Sequence, residues 1–348
     1  MSPVESPLMR IGITCGDLNG IGMEVVLKTL NHPQIGELCT PIIFASSKAL
    51  GYHRKALDMQ QFQFQTVQDA AQAIPGKINL VNVWQELVNL EFGNLSDEVG
   101  QYALKSIDAA IEAYKSGHID AIVTAPIHKT NIKPENGTFK GHTGYFGAAF
   151  GKRPLMILSN GVLRVALVTE HMPLRDVADA LNFEKIKQAI ESLHSSLLAD
   201  FGIPSPKIAV LGLNPHAGDN GLLGDEELEI IAPAVEACQH LKGVIRGPFA
   251  ADGFFGSGQF EKFDAILAMY HDQGLTPFKA LAFGGGVNIT AGLDLVRTSP
   301  DHGTGFDIAG KGVANENSFR QALFAAIDIA RNRSTHREIT QNPLPYKS

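Results

Sequence analysis

Apolar residues along this chain fall into two rhythms. Short unbroken runs rich in β-branched side chains recur at Arg10–Thr14, Pro41–Ala45, Ile78–Val83, Ile119–Thr124, Arg164–Thr169, Lys207–Leu213 and Asp264–Met269. Continuous runs of that length predict strands covered on both faces. Between them Val99, Leu104, Ile107, Ala110, Ile111 and Tyr114 recur at three- and four-residue steps, which predicts a helix over Glu98–Ser116. Leu181–Phe201, Glu226–Gln239 and Phe319–Asn332 carry the same rhythm. Strand alternating with helix predicts an α/β fold with a mostly parallel sheet. The stretches 130–142 and 280–290 are rich in Gly, Pro and Asn, and are read as crossings between two domains. One would comprise 1–139 plus 285–348, the other 140–284.

Composition narrows the class. Of 348 residues 44% are hydrophobic and 19% charged, enough apolar material for a substantial core. The net charge of −7, with no Lys/Arg run, predicts no nucleic-acid partner. The start lacks a secretory signal pattern, and no apolar stretch approaches membrane-spanning length. Cys15, Cys39 and Cys238 are too few and too scattered for a disulfide framework. A cytoplasmic protein is expected.

Three histidines stand just beyond three predicted strands: His171, His216 in Asn214-Pro-His-Ala-Gly-Asp219, and His271 in Tyr270-His-Asp-Gln-Gly274. Ligands of open parallel sheets bind beyond the carboxyl ends of the strands. Three imidazoles there suit a divalent metal and leave room for a substrate oxygen. Taken singly, each is more readily a polar residue at a loop start; it is the position shared by all three that favours the metal. His142 and Thr143 offer donors to an anion, or else a plain turn with a capping threonine. Lys279, Asn288 and Arg297 flank the glycine run Gly284–Gly286, where backbone can approach a ligand closely. The bland alternatives are a solvated lysine and an arginine paired with Asp294 or Asp301. Gly16-Asp-Leu-Asn-Gly-Ile-Gly22 is a tight strand-to-helix turn without the dinucleotide-binding spacing. Asp301–Gly312 is a polar, glycine-rich loop that suits a nucleotide or merely connects elements. Neither a Walker A sequence nor a G-x-S-x-G elbow occurs.

In this order, GDLNGIG (Gly16–Gly22), VTAPIHK (Val123–Lys129), GHT (Gly141–Thr143), VTEHMPLRDV (Val168–Val177), LNPHAGDNGLLGDEE (Leu213–Glu227), YHDQGLTPFK (Tyr270–Lys279), GGVNITAGLDLVRTSPDHGT (Gly285–Thr304) and DIAGKG (Asp307–Gly312) resemble the 4-hydroxythreonine-4-phosphate dehydrogenase family. The resemblance implies two α/β/α domains like those of isocitrate and isopropylmalate dehydrogenases, with the active-site cleft between them. It implies a divalent metal per subunit (Zn, Co, Mn or Mg) on His171, His216 and His271. Substrate contacts would fall on His142, Thr143, Lys279, Asn288 and Arg297, and Asp252 would lie near the substrate. Lys279 and Asp252 are the candidates for general base. The adenosine side of NAD would meet His302, Gly303, Thr304 and Asp307. Homodimers with each active site completed by the partner subunit are implied as well. Leu18, Asn19 and Met23 depart from the family's commonest first motif, which touches only the local loop shape.

The implied reaction oxidises the secondary alcohol of 4-phosphooxy-threonine with NAD, giving a 3-oxo acid that loses carbon dioxide to form 3-amino-2-oxopropyl phosphate for vitamin B6 synthesis. Two other readings share these residues. One is a sister dehydrogenase acting on erythronate 4-phosphate; the other is a metal hydrolase built on the same three histidines, against which counts the lack of an H-E-x-x-H motif.

Overall fold

The computed structural model describes residues 7–134, 139, 141–282 and 285–341. It divides into two compact units: Met1–Gly151 with Asp294–Arg331, and Lys152–Leu293 with Asn332–Ser348. The expected boundaries at 139/140 and 284/285 thus sit earlier than the observed ones, for a local reason in each case. Residues after Gly141 form a helix whose Tyr145 hydroxyl bonds Asp108 Oδ1 at 2.5 Å, within the first unit. Residues 287–291 pair as a strand with Leu155–Ser159, within the second.

The first unit opens with β1 (Met9–Thr14), α1 (Gly22–Leu30), α2 (Ile35–Leu38), β2 (Cys39–Ala45) and α3 (Ser47–Ala56). It continues through β3 (Gln65–Val67), β4 (Asn79–Asn82), α4 (Asp97–Lys115), β5 (Ala121–Val123) and α5 (His142–Phe150). The second unit holds β6 (Leu155–Ser159), β7 (Arg164–Leu167), α6 (Val177–Ala180), α7 (Phe183–Ala199) and β8 (Lys207–Leu211). After these come α8 (Ala232–Ala237), β9 (Val244–Phe249), α9 (Ala251–Gly256), β10 (Ala265–Ala268), α10 (His271–Ala282) and β11 (Val287–Ala291). The chain then returns to the first unit for β12 (Arg297–Pro300) and most of α11 (Asn317–Gln341).

In the first unit the strand order is β3-β4-β2-β1-β5-β12, all parallel. Every residue of β2 is buried, as its unbroken apolar run requires. In the second unit the order is β11-β6-β7-β10-β8-β9. Here β6 runs against both neighbours, while β7, β10, β8 and β9 are parallel. The core of this unit packs Val165, Leu167, Leu211, Ile266 and Ala268 of the strands against Leu275 and Phe278 of α10 and Phe254 of α9. Gly274 is what lets α10 come so close. A Cβ there would stand 2.7 Å from Val165 Cγ1 and 2.9 Å from Ala268 Cβ.

All seven predicted strands are present, so the α/β reading from sequence holds. Of the predicted helices, the one over Glu226–Gln239 departs most. It begins as a π-helical turn, Glu227–Ile231, before α8. Pro233 offers no N–H to the carbonyl four residues earlier, so the ladder is rewritten there. Among the described residues no helix is long and apolar enough to cross a membrane.

Candidate active site

In the second unit, β7, β10 and β8 are adjacent and parallel, so their carboxyl ends share one edge. His171, His271 and His216 follow those three ends respectively. Neighbouring strands lie about 4.8 Å apart, which is how residues 45 and 55 positions distant reach one locality. The imidazoles of His171 and His271 are 5.5 Å apart between centroids, tilted by 48°. His216 stands exposed on its own loop. Among the described residues no group of three His, Cys, Asp or Glu side chains stands close enough to hold a metal ion.

Hydrogen bonds tie the three loops together. Thr169 Oγ1 donates to the Met269 carbonyl at 2.7 Å, joining the His171 loop to the end of β10. Gln273 accepts from Met269 N at 2.7 Å and donates to the Gly212 carbonyl at 2.6 Å, joining the same end to the His216 loop. Buried Glu227 then grips that loop: its Oε1 accepts from Leu213 N and Asn214 N, each at 2.7 Å. The loop itself is wound left-handed. His216, Ala217, Asp219 and Asn220 all have φ between 44° and 53°, a conformation that side chains with a Cβ resist.

The donor set has the chemistry a divalent metal requires. His271 Nδ1 lies 2.7 Å from Asp272 Oδ1, a carboxylate placed to orient the ring. His171 Nδ1 lies 3.9 Å from Glu170 Oε2, beyond hydrogen-bond reach. Carboxylates behind imidazoles orient them and raise their basicity toward a metal.

A different cluster forms in the first unit. Arg297 opens β12 and is buried, with its Nε and Nη2 directed at Thr124 Oγ1, at the end of β5. Its guanidinium carbon lies 5.8 Å from the Phe146 ring centroid, and burial pushes its pKa down to about 9. His142 and Thr143 form the first turn of α5, which carries no acidic residue. Burial, aided by the charges of Arg297 and Lys129, holds the His142 pKa well below its ordinary value, so the ring is neutral. Among the described residues its buried Nε2 has no hydrogen-bond partner. A helix amino terminus, two cations and a neutral imidazole make a cradle for an anion. Lys129 had no role from sequence. A Cβ on Gly141, whose φ is 100°, would fall 3.6 Å from its Nζ, which places the ammonium over the start of α5.

The other predicted residues are carried by separate elements. Lys279 is exposed on α10, two turns beyond His271, and Asp252 is exposed in the first turn of α9. Asn288, on β11, keeps a buried Oδ1 with no hydrogen-bond partner among the described residues. Phe283 and Gly284, part of the glycine-rich run, lie outside the described residues. His302, Gly303, Thr304 and Asp307 sit on the loop after β12. This loop rests on the first glycine-rich turn, for Ile21 N donates to the Thr304 carbonyl at 2.8 Å. Gly20 allows the approach, since a Cβ there would meet that carbonyl oxygen at 2.6 Å. Phe306 stacks on His128 at 5.6 Å, and His302 Nε2 is a buried nitrogen without a hydrogen-bond partner among the described residues.

With this geometry in view, comparison with known proteins decides the family. Residues 37–326 match the family described as pyridoxal phosphate biosynthetic protein PdxA. The chain belongs to that family. A 4-hydroxythreonine-4-phosphate dehydrogenase from Bacteroides thetaiotaomicron is 53% identical over 98% of this chain and 94% of its own length. The enzyme of that name from Prosthecochloris aestuarii is 43% identical over 92% of this chain and 97% of its own. Among solved structures, the 4-hydroxythreonine-4-phosphate dehydrogenase of Klebsiella pneumoniae superposes with a TM-score of 0.80 at 34% identity, covering 94% of this chain and 99% of that one. A terephthalate 1,2-cis-dihydrodiol dehydrogenase from Burkholderia xenovorans superposes with a TM-score of 0.63 at 25% identity, covering 92% and 98%.

Proposed function

We propose that this PdxA-family chain is a 4-hydroxythreonine-4-phosphate dehydrogenase, an oxidoreductase that uses NAD and a divalent metal. The observation that carries the reading is the cradle of buried Arg297, neutral His142 and Thr143 at the amino end of α5. It offers positive charge, a helix amino terminus and a hydroxyl to a phosphate or carboxylate, as a phosphorylated hydroxy acid requires.

His171 and His271, with His216, would hold the metal. In the homodimer that the family resemblance implies, a set of three would be completed across the subunit interface. Once bound, the metal supplies a Lewis acid and the nicotinamide a hydride acceptor, two capacities that side chains lack. The protein's own groups do the rest. Arg297, His142 and Thr143 fix the anionic end, and Asn288 offers its buried Oδ1 to a substrate N–H or O–H. Lys279 and Asp252 are the candidates to receive the hydroxyl proton. The product is a 3-oxo acid that releases carbon dioxide. The loop carrying His302, Gly303, Thr304 and Asp307 would take the adenosine side of NAD. Three buried, unpaired cysteines agree with a place in the cytoplasm.

The test is NADH absorbance on mixing metal-loaded protein with NAD and 4-phosphooxy-threonine. Parallel samples hold erythronate 4-phosphate or a chelator. NADH from the threonine phosphate alone, lost on chelation, is expected. Preference for erythronate 4-phosphate would overturn the substrate, and turnover that survives chelation would overturn the metal.

A further inference from the structure

A cavity of about 410 Å³ opens in the second unit between α7 and the strand ends of β6 and β7. Lys185, Gln188 and Ala189 line it from α7, and their three- and four-residue spacing sets them on one helical stripe. Arg153, just before β6, faces the same space because β6 runs antiparallel to β7 and so begins where β7 ends. Leu155 and Leu167 give it an apolar floor.

Among the described residues its two cations are bonded to neutral groups. Arg153 Nη1 reaches Gln188 Oε1 at 3.5 Å, and Lys185 Nζ donates to the Ala180 carbonyl at 2.9 Å. Among the described residues neither has an ion-pair partner. Burial lowers the pKa of Lys185, and the charge of Arg153 adds to the shift. The carboxylate on the wall, Glu170, leans toward His171.

We propose that this cavity is a binding site for a small organic anion. Arg153 and Lys185 hold its phosphate or carboxylate head, and Leu155, Leu167 and Ala189 receive a short apolar body. The site shares Thr169 and Glu170 with the segment leading into His171, so its occupant would bear on the position of that imidazole.

The test is calorimetric titration of the full chain with phenyl phosphate, benzoate and benzyl alcohol. Binding of one or both anions is expected, with no binding of the neutral alcohol; which anion binds more tightly identifies the head. Arg153→Gln and Lys185→Gln should each weaken binding about tenfold, the worth of one charge-assisted hydrogen bond. Thr143→Val, in the other anion cradle, should leave this binding in place. Mass-spectrometric mapping of lysine acetylation gives a readout in the unaltered protein: the bound anion should protect Lys185. Failure of both anions to bind overturns the proposal, as does equal affinity in both Gln variants or acetylation of Lys185 unchanged by ligand.

Discussion

Arg297 presents two N–H groups to one oxygen: its Nε and Nη2 lie 3.1 and 2.6 Å from Thr124 Oγ1. Two donors converging on one acceptor fix the plane of the guanidinium and hence the direction of its remaining edge. Thr124→Val removes that acceptor while keeping the shape. The KM for the phosphorylated substrate is expected to rise about tenfold with a smaller change in kcat, and Thr124→Ser should restore it. Steady-state kinetics at fixed NAD checks this, and a Val variant with unchanged KM would mean the threonine does not aim the arginine.

Buried His53 sets a pH dependence of stability. Burial lowers its pKa to about 4 from an ordinary 6.5. Above 6.5 the ring is neutral in folded and unfolded chains alike, and its contribution is complete. As pH falls below 6.5 the unfolded chain takes up the proton first, so stability declines until the folded ring titrates near 4. The total is about 3 kcal/mol. His142, also lowered, acts in the same direction. Denaturant unfolding across this window should show His53→Gln with a shallower decline than the unaltered protein.

Gln273 bridges the end of β10 and the His216 loop through Met269 N and the Gly212 carbonyl. Gln273→Ala leaves both backbone groups without that partner and should cost about 2 kcal/mol. If the histidines hold a metal, affinity should fall by about tenfold or more, because the orientation of the loops is lost. Metal competition with a coloured chelator measures the second effect independently of turnover.

At Ala217, with φ 53° and ψ 44°, the usual cost of replacing alanine by glycine should vanish or reverse. Relief of the left-handed strain opposes the entropy gained by the unfolded chain. Ala217→Gly is therefore expected to be neutral or to stabilise by up to about 1 kcal/mol. A fall in Tm would show that the alanine methyl matters to the packing of the turn.

The strands that carry the histidines were legible because β7, β8 and β10 are buried on both faces and must be continuously apolar. Strands β11 and β12 were not. Val-Asn-Ile-Thr-Ala and Arg-Thr-Ser-Pro mix polar residues into short runs, and their place comes from pairing with distant partners. The histidines, Arg297 and His142 could be singled out from residue type and position. Their supports could not. Gln273, Glu227 and Thr124 act through bonds to groups 61, 13 and 173 residues away, and nothing local to each announces the contact. Lys129 is likewise an ordinary lysine until the chain returns at Gly141 to put a helix beneath it.

The reversed direction of β6 also offers a handle for engineering. Its turn into β7, Asn160–Leu163, lies at the end of the strands away from the histidines, and Val162 is 82% exposed there. A peptide tag or fluorophore spliced into that turn should leave turnover unchanged, giving a site for immobilising or labelling the enzyme without touching its chemistry.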